Sequence, residues 1–186
     1  MTLRMVFDRQ DLQRIRLARK PDPLWELMLG LHMTQARRPP VPLVGWRQEL
    51  ERRFAGAHRG RVAMGLLQCL VPPRGPFPDF LTPPGPMSDL DAACEAMLCT
   101  PRASLTADLA AVFAHRGPPP WARSLASGDG EILVQVVRAV RDAYDLLVAP
   151  QWAQVRDIVN ADRVGRTRQL VEHGTGALLA NLPGVL

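Results

Sequence analysis

His32, Asp79 and Tyr144 are the side chains of this sequence best suited to moving a proton or orienting a polar ligand. They lie far apart along the chain, so only the fold could bring them together. His32, His58, His115 and His173 each lack a His, Cys or carboxylate three or four residues away, the spacing at which a helix presents two zinc ligands. Cys94 and Cys99 come nearest to a metal pair, but five residues on an ideal helix turn them about 140° apart. A phosphate-binding loop needs Gly-Lys-Ser/Thr, and the single lysine, Lys20, precedes a proline. The four serines, Ser88, Ser104, Ser124 and Ser127, include no Gly-x-Ser-x-Gly elbow, and no Gly-x-Gly-x-x-Gly follows a strand pattern. No catalytic residue, metal or cofactor is expected.

The aromatic residues are more suggestive. Trp25, Trp46, Phe77, Phe80, Trp121, Tyr144 and Trp152 come from different segments of a chain that is only 5% aromatic. Brought together they would line a cavity for a small apolar or planar ligand. Tyr144, His32 and Asp79 would supply its few polar contacts. The alternative is a core built from large residues.

The elements that must position these groups are mostly helical. Asp22-Pro23 is a cap followed by proline at the first helical position, and Leu24, Leu27, Met28 and Leu31 then share one face. Trp46, Leu50 and Phe54 repeat at i+4 after the Arg37 to Pro42 break, and Val62 to Leu70 is apolar on nearly every side, as a central helix would be. From Pro72 to Pro86 seven of fifteen residues are proline, which predicts an extended connection pinned across the body by Phe77, Phe80 and Leu81. Ser88-Asp89 opens a helix lined by Leu90, Cys94, Met97 and Leu98, and the next carries Leu105, Leu109, Val112 and Phe113.

That pair has a helix-turn-helix outline, yet its second helix turns outward Arg102, Ser104, Thr106 and Asp108, one cation beside an acid, which favours ordinary bundle packing over DNA reading. Leu133, Val136, Val137, Val140, Tyr144, Leu147 and Val148 recur with helical period. A last long helix follows with Trp152, Val155, Ile158, Val159, Val164, Leu170 and Val171, ending near Gly174. Leu3 to Phe7 reads as a short strand, which needs a partner across a dimer or from sequence further on. The expected fold is therefore all-α: one irregular multi-helix domain over residues 1–186 with one short N-terminal β-strand.

The 23 basic and 18 acidic residues give a net charge of +5. Residues 1–60 carry +6 and residues 61–186 carry −1, so a polyanion would meet the front of the chain; a solvated basic face is the simpler reading. Arginine accounts for 22 of the 23 cations, a bias that GC-rich coding also produces. No apolar run reaches the roughly 20 residues of a membrane span, and a charge interrupts the amino terminus before a signal sequence could form. A cytoplasmic location is expected. Cys69, Cys94 and Cys99 read as buried reduced thiols.

Several of these residues occur in a familiar order. They are Asp22-Pro23-Leu24-Trp25-Glu26, Leu31-His32, Trp46-Arg47, Phe77-Pro78-Asp79-Phe80-Leu81-Thr82-Pro83 and Thr100-Pro101-Arg102. Pro150-x-Trp152, Ala161-Asp162-Arg163 and Gly174 followed by Leu178-Leu179 complete the set. In this order the chain resembles the N-terminal region of actinobacterial ArsR-type winged-helix transcriptional regulators. The Phe77 to Pro83 stretch is the most specific part.

The resemblance implies a regulatory helical region that precedes a β-containing segment and a DNA-binding winged helix. Neither is read in these 186 residues, so contact with DNA is expected only indirectly. The metal-sensing cysteine motif of better-known ArsR repressors is not matched by Cys69, Cys94 or Cys99. The leading expectation is a non-enzymatic domain that positions or dimerises a winged helix and senses a small apolar ligand. Its partners would be a second copy of the chain or a longer relative, with no membrane. Two alternatives are a stand-alone interaction module or anti-regulator, and an enzyme using His32, Asp79 or Tyr144.

Overall fold

The computed structural model describes residues 6–38, 40–85 and 89–180. In chain order the helices are α1 (Arg9–Arg14), α2 (Pro23–Gln35), α3 (Val44–Gly56), α4 (His58–Leu70) and α5 (Leu90–Leu98), then α6 (Arg102–Val112), α7 (Pro120–Ala126), α8 (Gly130–Leu147) and α9 (Trp152–Ala180). Short 3-10 turns lie at Val41–Leu43, Asp79–Leu81 and Ala149–Gln151. The protein is all-α among the described residues. Part of the expected Leu3 to Phe7 strand, Leu3 to Met5, lies outside those residues. Val6 and Phe7 are exposed and in no strand, and no other strand exists among the described residues to take their hydrogen bonds.

Aspartates start four of the helices, each accepting backbone N–H groups that the first turn leaves unpaired. Asp8 and Asp11 form a reciprocal capping box at α1, with bonds of 2.8 and 3.1 Å. Asp22 accepts from Leu24 at 2.8 Å and Trp25 at 3.3 Å. Asp89 caps α5 through Ala92 at 2.8 Å, and Asp129 caps α8 through Glu131 at 3.0 Å and Ile132 at 3.2 Å. Ser88, read together with Asp89 as the start of α5, lies outside the described residues.

The helices divide into two compact units. The larger, Asp22–Trp152, is organised around α8, which packs on α2, α3, α4, α5 and α7. Its apolar face, Leu133, Val136, Val137, Val140, Tyr144 and Leu147, is buried, as the periodicity predicts. The predicted inward positions of α2 and α6 are buried too. The central helix is α8 and not α4: α4 is the main neighbour of α8, but Val62 is 62% exposed on its outer side. Gly60 lets the two helices approach, since a Cβ there would stand 2.8 Å from Leu146 Cδ2. Of the three cysteines expected inside, only Cys94 is buried; Cys69 lies on the outer side of α4 and Cys99 caps the end of α5, both exposed.

The smaller unit joins Met1–Pro21 to Ala153–Leu186. Along α9, Val155, Val159 and Leu170 are half-buried, while Ile158, Val164 and Val171 stand 61%, 57% and 80% exposed. Gly174, expected as a C-cap, instead kinks α9 with φ 77°, a value glycine adopts without strain. Among the described residues no helix is long and apolar enough to cross a membrane.

Candidate ligand-binding site

All nine candidate residues lie in the Asp22–Trp152 unit, where they sort into two groups. The first is built on α2. Its buried face holds Leu24, Leu27, Met28 and Leu31, so helical geometry turns Trp25, Leu29 and His32 away from the core. Trp25 is 50% exposed and Leu29 52%. Phe77 arrives from the proline-rich connection and meets Trp25 edge to face, with centroids 5.8 Å apart and planes at 78°. Its ring is also 6.0 Å from His32.

Phe77 is held there by the turn that follows it. Pro78, Phe80 and Leu81 are buried, and Phe80 donates its backbone N–H to Asp108 Oδ2 on α6 at 2.9 Å. Asp108 was expected to face outward; this bond turns it toward the 79–81 turn. Burial pushes its carboxyl above the usual aspartate range, and the charge of Asp79 adds to the effect, against the pull of the backbone N–H groups it accepts. Gln35 on α2 ties down the start of the connection by donating to the Val71 carbonyl at 2.8 Å. Beside Trp25, burial raises the carboxyl of Glu26, helped by the charge of Asp22.

The second group surrounds the end of α8. Tyr144 and Trp152 meet edge to face with centroids 5.9 Å apart, and Trp46 Nε1 donates to the Leu147 carbonyl at 3.3 Å. Tyr144 is buried, which raises its phenol, with the charge of Asp145 contributing. No ring contact links the two groups among the described residues. Trp121, half-buried at the start of α7, joins neither, and Phe80 packs into the core. Asp79 is exposed at the head of its turn. No hydrogen bond joins His32, Asp79 and Tyr144 among the described residues. The Trp25, His32 and Phe77 face can take a flat apolar surface against its rings, with the imidazole as its polar contact.

Two clefts of the Asp22–Trp152 unit carry no aromatic residue and were not visible as sites in the sequence. One, about 390 Å³, runs between α4 and α8, where Arg59, Val62 and Leu66 face Gln135, Arg138 and Asp142. Each set falls on one helical stripe, so the spacing was there to be seen; the pairing of the helices was not. The other, about 560 Å³ and open, lies where α7 meets the start of α8, lined by Arg123, Ser124, Ser127 and Asp129. Among the described residues no three His, Cys, Asp or Glu side chains are grouped to hold a metal ion. Comparison of the chain with protein families, with characterised proteins and with solved structures finds no significant match.

Proposed function

We propose that the chain is a non-enzymatic regulatory domain of an ArsR-type transcriptional regulator, one that positions or dimerises a DNA-binding winged helix and senses a small apolar ligand at Trp25, His32 and Phe77. The observation that carries this reading is the placement of the most specific stretch of the resemblance. Within residues 77–83, Asp79–Leu81 fold as a turn pinned to α6, and the pinned turn presents Phe77 to a half-open tryptophan. A ligand settling there acts as an effector only by binding more tightly to one of two arrangements of the regulator.

Calorimetric titration with indole and naphthalene tests the site: saturable binding that Phe77→Ala abolishes is expected. The regulatory half is tested on an ArsR-type regulator carrying this domain, whose operator affinity shifts when the bound compound is added. Absence of saturable heat, or an operator affinity that ignores the compound, overturns the respective half. A second reading, an interaction module that captures longer relatives, is favoured by the exposed Ile158, Val164 and Val171 of α9. Co-purification of a longer relative that Val171→Lys releases would support it.

A further inference from the structure

The fold redistributes the charge of the chain. Residues 1–21 and 153–186 together hold ten Lys/Arg and five Asp/Glu, whereas residues 22–152 hold thirteen of each, so the whole net charge of +5 belongs to the smaller unit. Its densest part is Arg14-Ile15-Arg16-Leu17-Ala18-Arg19-Lys20, four cations with no acid among them. The chain leaves α1 here in extended conformation, with φ −61° and ψ 130° at Ile15. Ile15 and Leu17 are half-buried while Arg14, Arg16, Arg19 and Lys20 are exposed, so the alternation directs the cations outward. None of the four has an ion-pair partner among the described residues. Arg16 is steadied by donating to the carbonyls of Gln13 at 2.6 Å and Ile15 at 2.9 Å.

We infer that this segment grips the phosphodiester backbone of duplex DNA without reading its sequence. Three of the four cations are arginines, whose planar fork matches phosphate oxygens two at a time. Fully extended, seven residues would reach at most about 25 Å, and along that length a duplex presents a phosphate charge roughly every 1.7 Å of axis. Ile15 and Leu17, the two large apolar residues of the segment, are half-buried, whereas a membrane-inserting segment would expose them. It also lacks the aromatic rings on which single strands stack. The segment holds no Asn, Gln, Ser or Thr, so its groups for DNA are the four cations, whose first and sequence-independent partners are the phosphates. This inference rests on charge and exposure in the smaller unit and is independent of the aromatic site.

The test is fluorescence anisotropy of the intact chain with a labelled mixed-sequence DNA duplex across a salt series. Four neutralised phosphates imply a fall of about 100-fold in affinity between about 50 and 200 mM salt. The variant Arg14→Gln/Arg16→Gln/Arg19→Gln/Lys20→Gln should lose most of the affinity at low salt and most of the slope. Arg37→Gln/Arg38→Gln/Arg59→Gln/Arg138→Gln removes as many exposed cations from the larger unit and should change affinity less than about threefold, because backbone binding depends on the cations in contact. Unchanged far-ultraviolet circular dichroism and melting confirm that both variants fold. The inference is overturned if the duplex is not bound at low salt or if both variants lose affinity equally. It is also overturned if single-stranded RNA or phosphatidylserine vesicles displace the duplex at equal phosphate concentration.

Discussion

Asp108 and Phe80 lie 28 residues apart, yet the carboxylate of one accepts the backbone N–H of the other at 2.9 Å. Through this bond α6 fixes the turn that carries Phe77 to Trp25. A half-buried aspartate is an unusual anchor, because burial works against its charge.

The pH dependence of that anchor has a definite sign. The Asp108 carboxyl is raised in the fold, so the folded state binds its proton more tightly than the unfolded chain does. Its contribution to stability is full below the unfolded aspartate range and is lost as pH rises through the folded value; Glu26, also raised, acts in the same direction. Asp108→Asn keeps an acceptor for Phe80 without a half-buried charge. It should match or exceed the wild type at neutral pH in urea denaturation, with a flatter pH profile. Asp108→Ala leaves the N–H unpaired and should cost about 1–3 kcal/mol.

Phe77→Ala removes one ring of an edge-to-face pair and should lower stability by about 0.5–1.5 kcal/mol beyond the area lost. It also uncovers Trp25. The emission difference between wild type and Trp25→Phe isolates that indole, and the same difference taken in a Phe77→Ala background should move to longer wavelength. An unmoved difference spectrum would place Phe77 elsewhere in solution.

Gly60 and Gly65 sit five residues apart on α4 and should respond oppositely to alanine. Nothing lies within 4 Å of a Cβ at Gly65, so Gly65→Ala should raise stability by about 0.5–1 kcal/mol through helix propensity. At Gly60 the added methyl meets Leu146, which is buried between the helices. Gly60→Ala should therefore lower the melting temperature, and a rise equal to that of Gly65→Ala would show that α4 and α8 are not so closely packed.

Asp129→Ala deprives Glu131 and Ile132 of their acceptor at the start of α8 and should cost about 1 kcal/mol. Chemical denaturation checks it. Since α8 touches most other helices of its unit, the loss should appear as a shift of the whole transition with no separate early phase.

Much of this architecture could be read from residue order. An aspartate before a helical stripe is a local signal, which is why α2 starts at Asp22 as the sequence suggests. What covers a stripe is not local. Ile158, Val164 and Val171 have the period of a core helix, yet α9 leaves them in solvent, because periodicity records which residues share a face and nothing about a neighbour. Asp108 failed for the complementary reason: its place on α6 was right, but the turn it meets is supplied by a connection without period. The rings of Trp25 and Phe77 were identifiable by type, while their meeting depends on where seven prolines steer the chain. Charge counted by thirds placed +6 in residues 1–60; counting by spatial unit moves the surplus to two segments at opposite ends of the sequence.

Because α8 is shared by five neighbouring helices, no one of those neighbours can peel away without stripping cover from it. The amides of Val136 and Val140, at its most enclosed stretch, should exchange with solvent only when the entire Asp22–Trp152 unit opens. Anything that tightens the Trp25 and Phe77 face would then be felt at those amides as a slower clock, and the distance between ligand and reporter would not weaken it.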